Sequence, residues 1–304
     1  MNLISQIKKE VKNKVSGQII FEENLSKYSW FNLGGPAKVV FRPKNLNELS
    51  IFLKNIKGFD KIKVLGVGSN TLIRDGGFDG IIIKFGKSFA HLSLFDQNTL
   101  IAGVAALDKN VSNFALENSL TGFEFLSCIP GSIGGGIRMN SGCFGEEFKD
   151  ILLSVQAVDR KGKVLTIPSS RIKFEYRTND LPRDLIFLSA SFKGNFKNKD
   201  IAKKDMEILK NKKEKTQPAR VKTGGSTFKN PITQTKEKVW KLIKSSVQAN
   251  TSFGDAAISE KHSNFFVNKN NATYEDMKKL IDFVRNSVRE KTGINLDLEI
   301  EIVG

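Results

Sequence analysis

The sequence predicts an α+β protein in two parts, and three observations carry that expectation. Short apolar strand patterns and amphipathic helical patterns mix over the first two hundred residues. Composition then shifts around Phe196 to Lys204 into a long charged helix. Beyond it lies a smaller α+β unit that closes on an alternating strand. The expected division is residues 1–200, with a core of about 28–195, and residues 201–304.

After an amphipathic start, Ala37 to Pro43 reads as a strand, and Asn45 to Ile56 has helical spacing through Leu46, Leu49, Phe52 and Leu53. Lys63 to Gly68 reads as a buried strand entering a glycine-rich turn. The apolar run Ile81 to Phe85 follows Asp75-Gly76-Gly77. Thr99 to Ala105 continues the strand pattern, Asn110 to Asn118 is helical, and the glycine-rich stretch Gly131 to Gly145 reads as a loop. Val155 to Val158 and Val164 to Ile167 flank Asp159-Arg160-Lys161-Gly162 as a hairpin, and Leu185 to Phe192 is a further strand. In the second part, Thr273 and Asp276 form a capping box for a helix whose apolar stripe is Met277, Leu280, Ile281, Val284 and Val288, ended by Gly293. Leu296, Leu298, Ile300 and Ile302 then alternate with Asp297, Glu299 and Glu301, predicting a strand with one carboxylate-lined face.

A hydrophobic content of 39% with 26% charged residues is that of a globular chain, which excludes a disordered or fibrous protein. The sequence holds no apolar run of the roughly 18 residues a membrane span needs, and Met1 to Gly17 lacks a signal-peptide core. A cytoplasmic protein is expected. Cys128 and Cys143 sit in no Cys-x-x-Cys pair, so both are expected as reduced thiols. The net charge of +16 points to an anionic partner: nucleic acid, a membrane surface or a phosphorylated small molecule. Much of the excess, as in Lys203 to Lys215, reads as a solvated helix face.

Several templates fail. Gly66-Val67-Gly68-Ser69-Asn70-Thr71 has Thr71 where a dinucleotide fingerprint requires glycine, and Gly86-Lys87-Ser88 has Ile81 where a P-loop requires it. His91 and His262 are the only histidines, and no Cys/His/carboxylate set has metal-ligand spacing, so no metal is expected. No nucleic-acid motif occurs. The two glycine segments can still offer backbone N–H groups to phosphate oxygens, or be plain tight turns. By themselves Ser226 reads as a turn serine, Arg177 as a surface ion pair and Glu299 as a solvent-facing strand position.

Taken in order, Trp30-Phe31-Asn32-Leu33-Gly34-Gly35-Pro36-Ala37, Gly66 to Asn70, Ile129-Pro130-Gly131-Ser132-Ile133-Gly134-Gly135, Tyr176-Arg177, and Gly225-Ser226-Thr227-Phe228-Lys229-Asn230-Pro231 resemble one family. It is that of the UDP-N-acetylenolpyruvoylglucosamine reductases. Trp240-Lys241-Leu242-Ile243, Ser259 to Asn268, Ala272-Thr273 and Leu296 to Gly304 extend the resemblance to residues 28–304.

The resemblance implies an FAD-binding domain of the vanillyl-alcohol-oxidase type, built of two α+β subdomains, over residues 1–200, and a substrate-binding domain over 201–304. It implies that NADPH reduces FAD, which passes hydride to the enolpyruvyl group of UDP-N-acetylglucosamine enolpyruvate, yielding UDP-N-acetylmuramate for peptidoglycan. Ser226 is assigned as proton donor, with Arg177 and Glu299 stabilising the charge left on the substrate carboxylate. Lys229 and Asn230 are assigned to substrate, and Gly66, Gly68, Ser69, Asn70, Thr71, Gly131, Ser132, Gly134 and Gly135 to the cofactor. The expected protein is a monomer without nucleic-acid partner or membrane insertion. With no tyrosine between Tyr176 and Tyr274, the chain resembles the subgroup that lacks a tyrosine-bearing loop over the substrate. Two other readings compete: another FAD-dependent oxidoreductase on the same fold, and a basic nucleic-acid-binding module.

Overall fold

The computed structural model describes residues 3–56 and 61–304. The chain forms two compact units: Met1–Glu22, Lys38–Gly66 and Gly80–Lys213 make the first; Glu23–Ala37, Val67–Asp79 and Glu214–Gly304 make the second. A single cut near residue 200 was expected. The structure instead lets two short early segments join the C-terminal part, and it keeps most of the charged helix Lys199–Thr216 with the first unit. That helix buries Ala202 and Met206, so its register follows two apolar side chains that its charged composition obscures.

The first unit contains a four-stranded sheet in the order Gln18–Asn24, Pro36–Arg42, Phe78–Ile83, Ile62–Val64. A five-stranded antiparallel sheet follows the order Val164–Pro168, Leu152–Val158, Ile186–Lys193, Thr99–Gly103, Leu92–Leu94. The expected hairpin is present, Val158 pairing with Val164 and Val155 with Ile167. The helix Leu46–Asn55 buries Leu49, Phe52 and Leu53, and Asn45 caps it by accepting from the Glu48 amide. The strand expected over Lys63 to Gly68 is shorter, Ile62–Val64, because the chain turns at once into the glycine segment.

The stretch Gly131 to Gly145 is not a loop throughout. Ile133–Met139 is a helix despite its three consecutive glycines. Ile133 and Ile137 are fully buried, and a Cβ on Gly136 would stand 2.2 Å from Phe148 Cζ. Close packing therefore selects glycine here and outweighs its poor helix propensity. Asn140 ends the helix in the left-handed region at φ 42°.

The second unit is a four-stranded sheet in the order Lys222–Ser226, Phe265–Asn268, Ala256–Ile258, Ser252–Phe253, all antiparallel. The helix Tyr274–Thr292 packs on it. Its Thr273/Asp276 capping box, its buried stripe of Met277, Leu280, Ile281, Val284 and Val288, and its left-handed Gly293 at φ 73° are as the sequence predicts. The terminal alternation holds only in part. Glu301–Val303 pairs in parallel with Thr71–Ile73, Leu298 makes a single bridge to Phe228, and Val303 is buried while Ile302 is only half-buried. The change of partner from Phe228 to the Thr71 strand interrupts the expected single strand.

Candidate active site

In the second unit the segment around Ser226 is shaped by two glycines with different duties. Gly224 has no room for a side chain, since its Cβ would stand 2.3 Å from Phe31 Cε2. Gly225 has open space but a φ of +78°, a conformation L-residues rarely adopt. It sits at an irregularity in the pairing of Lys222–Ser226 with Phe265–Asn268, where Ser226 comes opposite Phe265. Ser226 is half-buried.

Beyond Ser226 the backbone is clamped on two sides. Thr227 N donates to Asn264 O at 2.8 Å, Phe228 N to Asn264 Oδ1 at 3.0 Å, and Asn264 Nδ2 to Phe228 O at 2.9 Å. On the other side Glu299 N donates to Thr227 O and Lys229 N to Asp297 O, both at 2.8 Å. The C-terminal segment thus runs alongside the Ser226 segment. Glu299 is half-buried there rather than solvent-facing.

Asn70 belongs to the same assembly, its side chain donating to Glu299 O at 2.9 Å and its carbonyl accepting from Glu301 N at 2.8 Å. Gly68, at φ +75°, turns tightly against Tyr28 O and accepts from Trp30 N; Ser69 precedes Asn70, and Thr71 is buried with its carbonyl bound by Ser29 Oγ. Asn230 accepts from Val239 N at 3.1 Å, anchoring the start of the helix Val239–Ser246.

In the first unit Arg177 occupies the left-handed region at φ +59°. Its guanidinium lies 4.7 Å from the Tyr176 ring centroid, donates to Gly142 O at 3.3 Å and pairs with Glu147 at 3.4 Å. With the Arg177 side chain 15% exposed, this is a mostly buried, multiply held cation rather than a loose surface pair. Ser132 is buried and starts the helix Ile133–Met139; Gly134 N donates to Val104 O at 3.0 Å, and Asp108 N donates to Gly131 O. Lys84 Nζ donates to Gly66 O, and burial with the nearby Arg42 charge lowers its pKa to about 8.

Residues 217–303 match the description "UDP-N-acetylenolpyruvoylglucosamine reductase, C-terminal domain", and residues 37–168 match "FAD binding domain". A UDP-N-acetylenolpyruvoylglucosamine reductase of Pelagibacter ubique (strain HTCC1062) is 58% identical over 99% of either chain. The chain belongs to the UDP-N-acetylenolpyruvoylglucosamine reductase family. A second member, from Rickettsia conorii (strain ATCC VR-613 / Malish 7), is 42% identical over 95% of this chain and 97% of its own. The solved UDP-N-acetylenolpyruvylglucosamine reductase (MurB) from Thermus caldophilus matches with a TM-score of 0.80 at 27% identity, covering 95% of this chain and 99% of that one. The α+β expectation holds, with an FAD-binding domain ahead of the family's C-terminal domain.

The glycines of the first unit fit such a cofactor in this reductase. A Cβ on Gly66 would stand 3.1 Å from Ser132 Oγ, and one on Gly135 would meet only that hydroxyl, at 3.9 Å. Apart from their own chain neighbours, only the Ser132 hydroxyl stands close to where a Cβ on Gly66 or Gly135 would lie, an openness that suits close approach of a phosphate.

Sequence reasoning did not find Asn264, which clamps the serine segment, or Glu147, which holds Arg177. Neither residue type nor spacing marks them, because each acts through a partner distant in sequence. His262 behaves as a packed residue, its ring 4.8 Å from that of Phe265 and its pKa lowered by burial.

Proposed function

We propose that this chain reduces UDP-N-acetylglucosamine enolpyruvate to UDP-N-acetylmuramate with NADPH and FAD, and that Ser226, Arg177 and Glu299 carry the chemistry. FAD, when bound, supplies the hydride relay between NADPH and the enolpyruvyl group. The cofactor contacts are assigned to Gly66, Gly68, Ser69, Asn70, Thr71, Gly131, Ser132, Gly134 and Gly135.

The remaining work belongs to side chains. Hydride addition leaves negative charge spread into the substrate carboxylate, which a fixed guanidinium stabilises by its planar fork, the role of Arg177. Glu299 shares that charge as a hydrogen-bonding neighbour. The hydroxyl of Ser226 holds the proton that the adjoining carbon takes up. A serine is a weak acid, so its donation depends on a strongly basic carbon and on polarisation by a neighbour, a role assigned to Lys229. Asn230 orders the loop that follows.

The observation that carries the residue assignment is the 2.8 Å bond from Glu299 N to Thr227 O, which ties the Glu299 backbone to the residue after Ser226. The C-terminal domain is the substrate-binding part, and the enzyme acts as a cytoplasmic monomer. The test is anaerobic: reduce the flavoprotein with NADPH, then add the enolpyruvyl UDP-sugar. Reoxidation of the flavin is expected; a flavin that stays reduced excludes this substrate, and protein that purifies without flavin excludes the reading altogether.

A further inference from the structure

Tyr176 and Arg177 form the tip of a short antiparallel hairpin in which Phe174–Glu175 pairs with Thr178–Asn179. Arg177 holds the second tip position at φ +59°, where glycine or asparagine sits with least strain. An arginine in that conformation persists only where its surroundings hold it. The base of the hairpin is fixed without the tip. Asn179 Nδ2 donates to Ile137 O at 2.8 Å and to Arg138 O at 3.1 Å, and the buried Asn140 donates to Glu175 O at 3.1 Å.

The tip is gripped by a second hairpin, in which Glu147 stands opposite Gly142. Arg177 Nη1 meets Glu147 Oε1 at 3.4 Å and Nη2 donates to Gly142 O at 3.3 Å, so one cross-strand pair takes both ends of the guanidinium. Glu147 is itself held. Its Oε2 accepts from Asn140 Nδ2 at 3.0 Å and from Lys149 Nζ at 2.8 Å, and its backbone N–H donates to Asp150 Oδ2 at 2.8 Å.

We propose that Glu147 is a positioning residue for the reductase chemistry, acting through Arg177 by fixing the plane in which the guanidinium meets the substrate carboxylate. The proposal rests on the substrate role assigned to Arg177. A planar fork serves a carboxylate best when its orientation is set beforehand, because a long side chain otherwise loses its rotamer freedom at the moment of binding. Contacts at both ends of the fork, with the Tyr176 ring centroid 4.7 Å from it, set that orientation in advance. Lys149 shares the Glu147 carboxylate, so one negative charge lies between two cations and leaves Arg177 attractive to a substrate anion. Asn140 bonds both Glu147 and Glu175 O, joining the gripping hairpin to the one it grips.

The test is a double-mutant cycle on the flavin-loaded, full-length protein: Glu147→Gln, Arg177→Ala and the two together. Each is reduced anaerobically with NADPH and mixed with the enolpyruvyl UDP-sugar, with flavin content and thermal melting read alongside. Glu147→Gln is expected to fold and to be reduced by NADPH at the wild-type rate, while reoxidation by the sugar slows by about 10- to 100-fold. The double variant is expected to reoxidise no more slowly than Arg177→Ala alone, since Glu147 has nothing to position once the guanidinium is gone. Additive losses, an unchanged reoxidation rate in Glu147→Gln, or equal slowing of both half-reactions would each overturn the proposal. So would a Glu147→Gln protein without bound flavin or a cooperative melt, which would make Glu147 a residue of the fold. Failure of the underlying reading looks different: wild-type flavin that the sugar does not reoxidise, or an Arg177→Ala variant as fast as wild type.

Discussion

Asn70 Nδ2 donates to the Glu299 carbonyl oxygen at 2.9 Å across 229 residues of sequence. The same Asn70 accepts from Glu301 N, so one asparagine holds the C-terminal segment on both sides of Ile300. Asn70→Ala is expected to lower stability by about 1–2 kcal/mol, the usual cost of leaving a part-buried carbonyl unpaired. Because Glu299 is displaced with it, reoxidation of reduced flavin by the UDP-sugar is expected to slow as well. Thermal unfolding and stopped-flow absorbance check the two effects separately.

Ser226→Ala removes the proton assigned to the substrate carbon and nothing needed by NADPH. Flavin reduction is expected at the wild-type rate, while the substrate half-reaction falls by about 10²–10⁴-fold. Equal loss in both half-reactions would make Ser226 a structural residue.

Asn264 makes three bonds to the Thr227–Phe228 backbone and is buried. Asn264→Ala is expected to cost roughly 2–4 kcal/mol, since two backbone groups lose their partner in a dry setting. Chemical denaturation measures it. Asn264→Asp is expected to be nearly as damaging, because a carboxylate cannot donate to Phe228 O.

Gly136→Ala places a methyl group within 2.2 Å of Phe148. A loss of at least about 1–3 kcal/mol is expected from overpacking, although alanine is the better helix former. A gain in melting temperature would show that the ring can move aside at little cost.

Lys84 has its pKa lowered from 10.5 to about 8 by burial and by Arg42. Below pH 8 both folded and unfolded chains carry this proton; between pH 8 and 10.5 only the unfolded chain does. Stability therefore rises with pH through that window as far as Lys84 contributes. Lys84→Met removes the cost of the buried charge and is expected to flatten that rise, the difference being on the order of 1–3 kcal/mol. Unfolding of both proteins from pH 7 to 10.5 tests the sign.

Much of the second unit was legible in the sequence because its signals are local. The Thr273/Asp276 box, the stripe from Met277 to Val288 and Gly293 obey helix geometry alone, and the structure reproduces them. The helix Ile133–Met139 was not legible, since three glycines in a row read as a loop until the Phe148 ring beside Gly136 is known.

The sequence by itself determined the family, through motifs kept in order along nearly the whole chain. The tertiary structure alone decided that Asn70 and Asn264 hold the Glu299 and Ser226 segments and that Glu147 holds Arg177. The physical reason is that each of these bonds closes a loop of the chain, and a buried polar group accepts whichever partner the packed core brings within about 3 Å. Periodicity reports which face of an element is apolar; it carries no record of which distant backbone group will complete a hydrogen bond.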